Sequence, residues 1–390
     1  MGFSYSVVRR LKAMSTLFGG NLHAGLSGLE LQEPSFDLGC GLTLSKTYAH
    51  LMAPFMMAFK PAPKGSHHPA PWKAAQGGSS FDISAELCVP EAIEGKFGSK
   101  IEVARTVLFL LRLNVNPATT LPVFSNHAFA ALPEIGDNET RLFPYEVQPR
   151  HFPLGVVGGI ATPEAVGWVS ERWQVTHKLI LESAEFSLAV EAIDSGQFVR
   201  QSTLALVSLW GALEALFSPS TAELKFRVSA LIAAFLEPPG MARHALQKDI
   251  AKLYDKRSAA AHGKPKHDAE DLLATFNLLR RVLFEIIDRG VVPSKEALEA
   301  ALFGVEPSVR TANPSINADA LRAPVMSHVM PHALHGTFAS TSRISMIAFA
   351  RSISPVTSRR PASSTKRSRS TWAPLSSTRL LCVAPLARST

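Results

Sequence analysis

The stretch from Met241 to Gly263 reads MARHALQKDIAKLYDKRSAAAHG and carries the clearest fold signal in the 390-residue chain. One face of a helix built from it repeats at intervals of four, three and four residues: Leu246, Ile250, Leu253 and Arg257. These intervals are those of an α-helix, and Gly263 supplies a helix stop. The stretch therefore predicts a helix that ends near Ala261 and has an arginine in its apolar face.

The segments around this helix also have helical periodicity, interrupted by proline, glycine and serine. Thr162-Pro163-Glu164 is a typical helix start, with a capping residue, an early proline and an early acid. Five helices are predicted: Pro163 to about Ile193, Phe198–Phe217, Thr221 to about Glu237, Met241–Ala261 and Asp268–Arg289. Helices joined by such short turns are expected to pack as a bundle.

The chain before residue 160 has a different pattern, with short β-favouring segments: Gly28–Gln32, Leu42–Thr47, Phe81–Val89 and Leu121–Phe124. Ile101–Leu113 is apolar enough for a helix or a buried strand, and residues 60–80 predict a loop. The predicted fold class is α+β. A mixed N-terminal domain over residues 1–160 is followed by an all-α bundle over 161–307 and a disordered basic tail over 308–390.

Charge is distributed unevenly along the chain. The formal net charge is +8, but ten of the 40 basic residues and none of the 32 acidic ones follow Asp319. Residues 1–319 therefore have a net charge of −2. The segment after residue 308 is rich in Ser, Thr, Arg, Ala and Pro, a composition typical of disorder. Such a tail could contact nucleic acid or an acidic surface, or it could remain solvated without a role.

Cysteine is scarce, and its positions are unrelated: Cys40, Cys88 and Cys382. No pair has the spacing of a disulfide framework or of a zinc site, which is typical of a reducing cytoplasm. No apolar run approaches the length needed to cross a bilayer. We therefore expect a cytoplasmic protein with no membrane association, no metal and no cofactor.

Arg257 and His262 are the main candidates for catalysis. A guanidinium in an apolar helix face is costly unless it is paired or faces a cleft. A spacing of five places the two residues about 140° apart on an ideal helix, so convergence requires a distorted last turn or a second subunit. Arg172 and His177 repeat the spacing within the first predicted helix, so the spacing by itself is a weak signal.

The segment from Arg243 to Lys266 is basic although the preceding chain is slightly acidic. It has seven Lys or Arg residues against two Asp, a local net charge of +5. Lys248, Lys252 and Lys256 form a stripe at helical spacing. A basic segment of this kind suits contact with phosphates, and we predict RNA binding by Lys252, Lys256 and Lys264. The alternative is a solvated lysine face.

Three segments of the helical region form a recognisable set: Leu209–Phe217 (LWGALEALF), Phe226–Ala233 (FRVSALIA) and Leu253–Gly263 (LYDKRSAAAHG). Their sequences, order and intervals resemble the HEPN superfamily, specifically the Apea-like HEPN domain, from about Thr176 to Arg289. The resemblance implies an all-helical domain that forms a homodimer, with an R-x4-6-H motif lining a cleft at the interface. Many such domains are endoribonucleases of antiviral defence, toxin–antitoxin or RNA-processing systems.

By this resemblance Arg257 and His262 are the motif pair, and Ser258 is the polar residue that often follows the arginine. We expect Arg257 to clamp the phosphate and His262 to act as general base or acid. Glu214 could orient Arg257, and Tyr254 could stack on a base. The expected products carry a 2′,3′-cyclic phosphate and a 5′-hydroxyl, and no metal is required.

Two other interpretations remain open. The chain could be a catalytically silent HEPN module that binds RNA, a nucleotide or a protein. Alternatively the motif is accidental, so that Arg257 pairs with a buried acid, His262 caps the helix and Tyr254 packs in the core. The nuclease interpretation predicts that Arg257 and His262 meet in an open basic groove across a dimer. The N-terminal domain would then respond to an unknown trigger.

Overall fold

A computed structural model describes residues 19–151, 159–217, 223–263 and 267–305. The chain is a mixed α+β protein, as predicted. Its described strands are β1 (Leu22–Ser27), β2 (Glu30–Leu31), β3 (Ser35–Gly39), β4 (Leu42–Ala58), β5 (Trp72–Val89), β6 (Thr120–Ser125), β7 (Leu142–Pro144) and β8 (Ile160–Ala161). Six of them form an antiparallel sheet in the order β3-β4-β5-β1-β6-β7, while β2 and β8 form a separate parallel pair.

The described parts of the chain contain nine α-helices. They are α1 (Glu94–Phe97), α2 (Lys100–Asn114), α3 (Pro163–Glu182), α4 (Ala184–Gly196), α5 (Ser202–Phe217), α6 (Leu224–Leu236), α7 (Met241–Ala261), α8 (Ala269–Arg289) and α9 (Lys295–Leu302). Helix α7 has the predicted bounds. Asp268 is the N-cap residue of helix α8. Its carboxylate accepts a hydrogen bond from the Asp271 backbone N–H at 2.9 Å. The carboxylate of Asp271 accepts one in return from Asp268, which completes a capping box.

The first long helix predicted from the sequence is in fact two helices. Ser183 has extended backbone angles, with φ −118° and ψ 118°, and it separates α3 from α4. Its hydroxyl accepts a hydrogen bond from the Phe186 backbone N–H at 3.1 Å. The prediction of one helix to Ile193 was therefore wrong, because the serine caps a new helix instead of continuing the old one.

The predicted loop over residues 60–80 is also shorter than expected, since β5 begins at Trp72. The Gly- and Ser-containing start of β5 pairs with β4, with Met57 opposite Lys73 and Met52 opposite Ser80. Pairing with a long partner strand thus overrides the weak β-propensity of this segment. Ile101–Leu113, which the sequence left ambiguous, lies within the almost wholly buried helix α2.

Most of the buried apolar side chains, from the sheet and the helices alike, belong to one core cluster. Trp173 of α3 is fully buried, and its indole N–H donates to the Leu38 carbonyl of β3 at 2.9 Å. All described residues belong to one compact unit. The division between residues 1–160 and 161–307 stays a prediction, and the predicted tail over 308–390 lies outside the described residues. No helix within the described ranges is long and apolar enough to cross a membrane.

Candidate functional site

Arg257 lies on the face of α7 that packs against α5. Its guanidinium donates to the Glu214 carboxylate of α5 at 2.8 Å, across 43 positions of sequence. The two side chains are only 22% and 18% exposed, so this is a partly desolvated ion pair. The arginine in the apolar face of α7 is thus neutralised by an acid in the apolar helix α5.

Tyr254 completes the cluster around this ion pair. It is buried, and its ring meets the fully buried Trp210 edge to face, with ring centroids 5.2 Å apart. The guanidinium carbon of Arg257 lies 5.5 Å from the Tyr254 ring centroid, within range of a cation–π interaction. Burial and the Glu214 carboxylate raise the pKa of Tyr254, and the positive charge of Arg257 partly opposes them.

The cluster keeps unused hydrogen-bonding capacity. Among the described residues no partner is found for Oε1 of Glu214, Nε of Arg257 or Nε1 of Trp210, although all three atoms are buried. Two of these atoms belong to the ion pair itself, while the Glu214 carboxylate also interacts with the Tyr254 hydroxyl. Buried polar atoms usually find a partner, so their grouping marks this cluster as a candidate functional feature.

His262 has a different environment, at the C-terminal end of α7. It is the C-cap residue, with φ −92° and ψ 17°, and its backbone N–H donates to the Ser258 carbonyl at 3.1 Å. Its ring is exposed, and no described residue forms a hydrogen bond or ion pair with it. Since α7 remains helical to Ala261, Arg257 points inward while His262 points into solvent. Among the described contacts, no hydrogen bond or ion pair joins the two motif residues within one chain.

The lysines predicted to bind RNA have local partners. Lys252 contacts Asp249 at 2.8 Å on the exposed side of α7. Lys256 contacts Asp271 of α8 at 2.9 Å, and this hydrogen bond raises its pKa. Ser258 is partly exposed one position after the arginine, and Lys264 lies outside the described residues. The Lys252–Asp249 pair is exposed and therefore weak, whereas Asp271 in the Lys256 pair is only 18% exposed.

The second Arg-x4-His pair has a structural role. Arg172 forms an ion pair with Asp288 of α8 at 2.6 Å. His177 is buried, with its two ring nitrogens hydrogen-bonded to the Thr106 hydroxyl at 3.0 Å and the Phe97 carbonyl at 2.8 Å. The two Arg-x4-His pairs therefore have different environments. The mid-helix His177 is buried by neighbouring elements, whereas the C-cap His262 is exposed.

A polar cavity that the sequence did not reveal lies between α2, α4 and the segment after β7. It has a volume of about 310 Å³, and its charged and phenolic lining consists of Arg105, Tyr145, Glu146, Glu191 and Asp194. Fully buried Arg112 lies behind it and contacts Glu146 at 2.6 Å and Asp194 at 3.1 Å. Two arginines seven apart in an otherwise apolar segment were the signal that could have indicated it.

A second cluster that the sequence did not reveal links neighbouring strands of the sheet. His23 of β1 is directly opposite Cys88 of β5, and its Nδ1 lies 2.7 Å from the Glu86 carboxylate. Burial lowers the pKa of His23, but hydrogen bonds and charges from Cys88 and Glu86 outweigh burial and raise it to about 9. The imidazole is therefore held in its charged form beside a carboxylate and a thiol.

Within the described ranges, no group of three or more His, Cys, Asp or Glu side chains is arranged to hold a metal ion. Comparisons with protein-family models, with characterised proteins and with solved structures find no match for this chain. What the chain does has to be inferred from its own residues.

Proposed function

We propose that the chain is a metal-independent endoribonuclease of the HEPN type, acting in the cytoplasm in antiviral defence or as part of a toxin system. The observation that carries the proposal is the Arg257, Glu214 and Tyr254 cluster at the inner face of α7, one turn before the exposed His262. An oriented guanidinium and an accessible imidazole at one helix end are the groups that phosphodiester transfer requires.

In the proposed reaction the 2′-hydroxyl of RNA attacks the adjacent phosphorus and the 5′-oxygen leaves. His262 takes the proton from the 2′-hydroxyl or returns one to the leaving oxygen, since an imidazole exchanges protons near neutral pH. Arg257 stabilises the additional negative charge on the phosphoryl oxygens, and Glu214 holds its guanidinium in place. The products carry a 2′,3′-cyclic phosphate and a 5′-hydroxyl.

The proposed enzyme is a homodimer, because within one chain Arg257 pairs with Glu214 and the exposed His262 makes no contact with it. Two copies packed along the end of α7 would bring the arginine of one chain towards the histidine of the other. The small side chains of Ala259, Ala260 and Ala261 would permit a close approach between helices. Sedimentation of the full-length chain measures this assembly directly.

The test is cleavage of labelled single-stranded RNA in EDTA by the wild-type chain and by Arg257→Ala and His262→Ala. We expect both substitutions to lower the cleavage rate at least about a hundredfold, the usual effect of losing an acid–base group. Arg227→Ala and His244→Ala are matched controls, since both side chains are exposed on the helices α6 and α7. Cleavage that persists in both motif variants would overturn the assignment.

The second candidate is a catalytically silent HEPN-type module that binds RNA, a nucleotide or a protein. The observation that favours it is the 2.8 Å ion pair of Arg257 with Glu214, which occupies part of the guanidinium that a phosphate would need. A silent module binds RNA without cleaving it under any condition. An enzyme that requires activation gains cleavage when its trigger is supplied, and only the enzyme is sensitive to His262→Ala.

A further inference from the structure

Strands β4 and β5 extend beyond the core as a two-stranded projection, which we call the hairpin arm and define as residues 52–80. Of the arm's residues whose side chains are described, all are exposed except Ala58 and Ser79, which are partly exposed. The apolar residues of the arm are exposed on both faces, since Met56 and Met57 are neighbours in one strand and point to opposite sides. An isolated two-stranded hairpin is marginally stable in water, so this arm is suited to contact a partner.

Aromatic rings are concentrated on and next to the arm. The rings of Tyr48, Phe55, Phe59 and Trp72 are each more than half exposed. Trp72 is also oriented, because its indole N–H donates to the carbonyls of His68 and Pro69 at 3.0 and 3.1 Å. Exposed rings whose faces are available provide stacking surfaces for unpaired bases.

The charge of the arm is entirely positive. No acidic residue occurs between Asp37 and Asp82. Within the described residues no ion pair or hydrogen bond engages the ammonium groups of Lys60, Lys64 or Lys73. Two of these cations directly follow an aromatic residue, Lys60 after Phe59 and Lys73 after Trp72, on a body that is otherwise acidic. Free ammonium groups beside stacking surfaces are complementary to the phosphates and bases of a single strand.

The order of residues along the arm favours a nucleic acid over a lipid surface. The tip between Phe59 and Trp72 reads KPAPKGSHHPAP and is polar, basic and proline-rich, whereas the apolar side chains lie behind it. Insertion into a bilayer would require the lysines and histidines of the tip to enter the hydrocarbon first, which is costly. Contact with a strand of RNA places the same lysines against phosphates.

We propose that the hairpin arm is a binding site for single-stranded RNA, with Phe59 and Trp72 stacking on bases and Lys60 and Lys64 contacting phosphates. The inference rests on the proposed function, because it names the element that would hold the substrate of the ribonuclease. It adds a site on the sheet that lies far in sequence from Arg257 and His262.

The test measures binding of a fluorescently labelled, 2′-O-methylated single-stranded RNA to the full-length chain. This probe lacks the attacking hydroxyl, so binding is measured whether or not the chain is an enzyme. Phe59→Ala/Trp72→Ala removes the stacking surfaces, and Lys60→Gln/Lys64→Gln removes two charges. Phe226→Ala and Lys178→Gln/Lys295→Gln are matched controls at exposed positions on the helices.

We expect the stacking variant, which loses two rings, to weaken binding at least about thirtyfold, since each base–aromatic stack contributes on the order of 1–3 kcal/mol. The charge variant is expected to reduce the slope of log affinity against log salt by about 1.4, at about 0.7 per phosphate contact. The controls should bind as the wild type does. Tryptophan fluorescence should be quenched by RNA in the wild type and less so in Trp72→Phe, which isolates the exposed indole.

Unchanged affinity in both arm variants would overturn the inference, and so would binding to phosphatidylserine vesicles in place of RNA. The experiment distinguishes failure of the RNA-binding proposal for the hairpin arm from failure of the proposed ribonuclease function. If the arm variants bind RNA normally and the wild type cleaves it, the inference fails and the proposed function stands. If the arm variants lose binding and no RNA is ever cleaved, the RNA-binding proposal is supported and the proposed ribonuclease function is wrong.

Discussion

At the scale of single residues, the ion pair between Arg257 and Glu214 is the feature on which the interpretation of the site depends. It accounts for a guanidinium in the apolar face of α7 without reference to a substrate. Nε of Arg257 and Oε1 of Glu214 have no hydrogen-bond partner among the described residues, and the same holds for Nη1 of Arg112 and Oδ1 of Asp194 in the buried Arg112 cluster. Unsatisfied atoms therefore do not by themselves distinguish a phosphate-binding arginine from a structural one, and substitution experiments have to decide.

A double-mutant cycle with Arg257→Met and Glu214→Gln measures the strength of this pair. We expect each single substitution to lower the free energy of unfolding by about 1–3 kcal/mol, because it leaves a partly buried charge without a partner. The coupling energy should be about 1–2 kcal/mol. The exposed pair of Lys225 and Asp255, 2.7 Å apart, is the control and should couple by less than about 1 kcal/mol. Equal coupling in the two pairs would contradict this account.

His23 makes stability depend on pH in the alkaline range. Its pKa is raised in the folded state to about 9, because its contacts with Cys88 and Glu86 outweigh burial. The stabilisation is therefore complete below the ordinary pKa of histidine, near 6.5, and is lost as pH rises through about 9. We expect the urea midpoint of the wild type to fall over this range relative to that of His23→Gln.

The matched control is His50→Gln, which removes the more exposed histidine of the His50–Asp82 pair. The quantity to compare is the difference between wild type and each variant. A difference that stays constant from pH 6 to pH 10 in His23→Gln would refute the proposed origin of the shift.

At the scale of elements, the helices follow local signals and the exceptions have local causes. Asp268 caps α8, and Ser183 starts α4, by the same side-chain to backbone hydrogen bond. The serine was overlooked because it stands in a continuous helical pattern without proline or glycine. Strand β5 was missed over residues 72–80 for the opposite reason, since glycine and serine have low β-propensity and only pairing with β4 makes that segment a strand.

At the scale of the molecule, Arg112 joins the sheet-bearing part of the chain to the helices. It is 1% exposed and contacts the Thr119 carbonyl, Glu146 and Asp194, which belong to three different segments. Burial alone would lower the pKa of this guanidinium, but the two carboxylates reverse that effect and raise it. The buried charges thus stabilise one another only in the assembled fold.

We expect Arg112→Met to lower the free energy of unfolding by about 3–5 kcal/mol, because it leaves Glu146 and Asp194 without their shared cation. Thermal unfolding followed by circular dichroism measures the loss. Arg105→Met is the control, since Arg105 contacts the more exposed Glu191 and its loss should cost less than about 1 kcal/mol. Similar losses for both variants would show that burial of the Arg112 cluster is unimportant.

Some residues of the candidate sites could be predicted from the local sequence, and others are brought together only by long-range packing. The sequence indicated Arg257 and His262 and suggested Glu214 as a partner for the arginine, and that contact is present. Arg105 and Arg112 were the one local sign of the polar cavity, but its other members and the His23–Cys88–Glu86 cluster come from separate strands and helices and could not be predicted. Hydrogen bonds between distant segments have no signature in spacing or composition.

The sequence by itself determined the α+β class, the bounds of α7 and the helix start at Pro163, because capping and periodicity act within a few neighbouring residues. Only the tertiary structure decided that Arg257 faces inward to Glu214 while His262 faces solvent. It also decided that β4 and β5 extend together beyond the core. These outcomes depend on which elements pack side by side, and packing joins residues that the sequence keeps far apart.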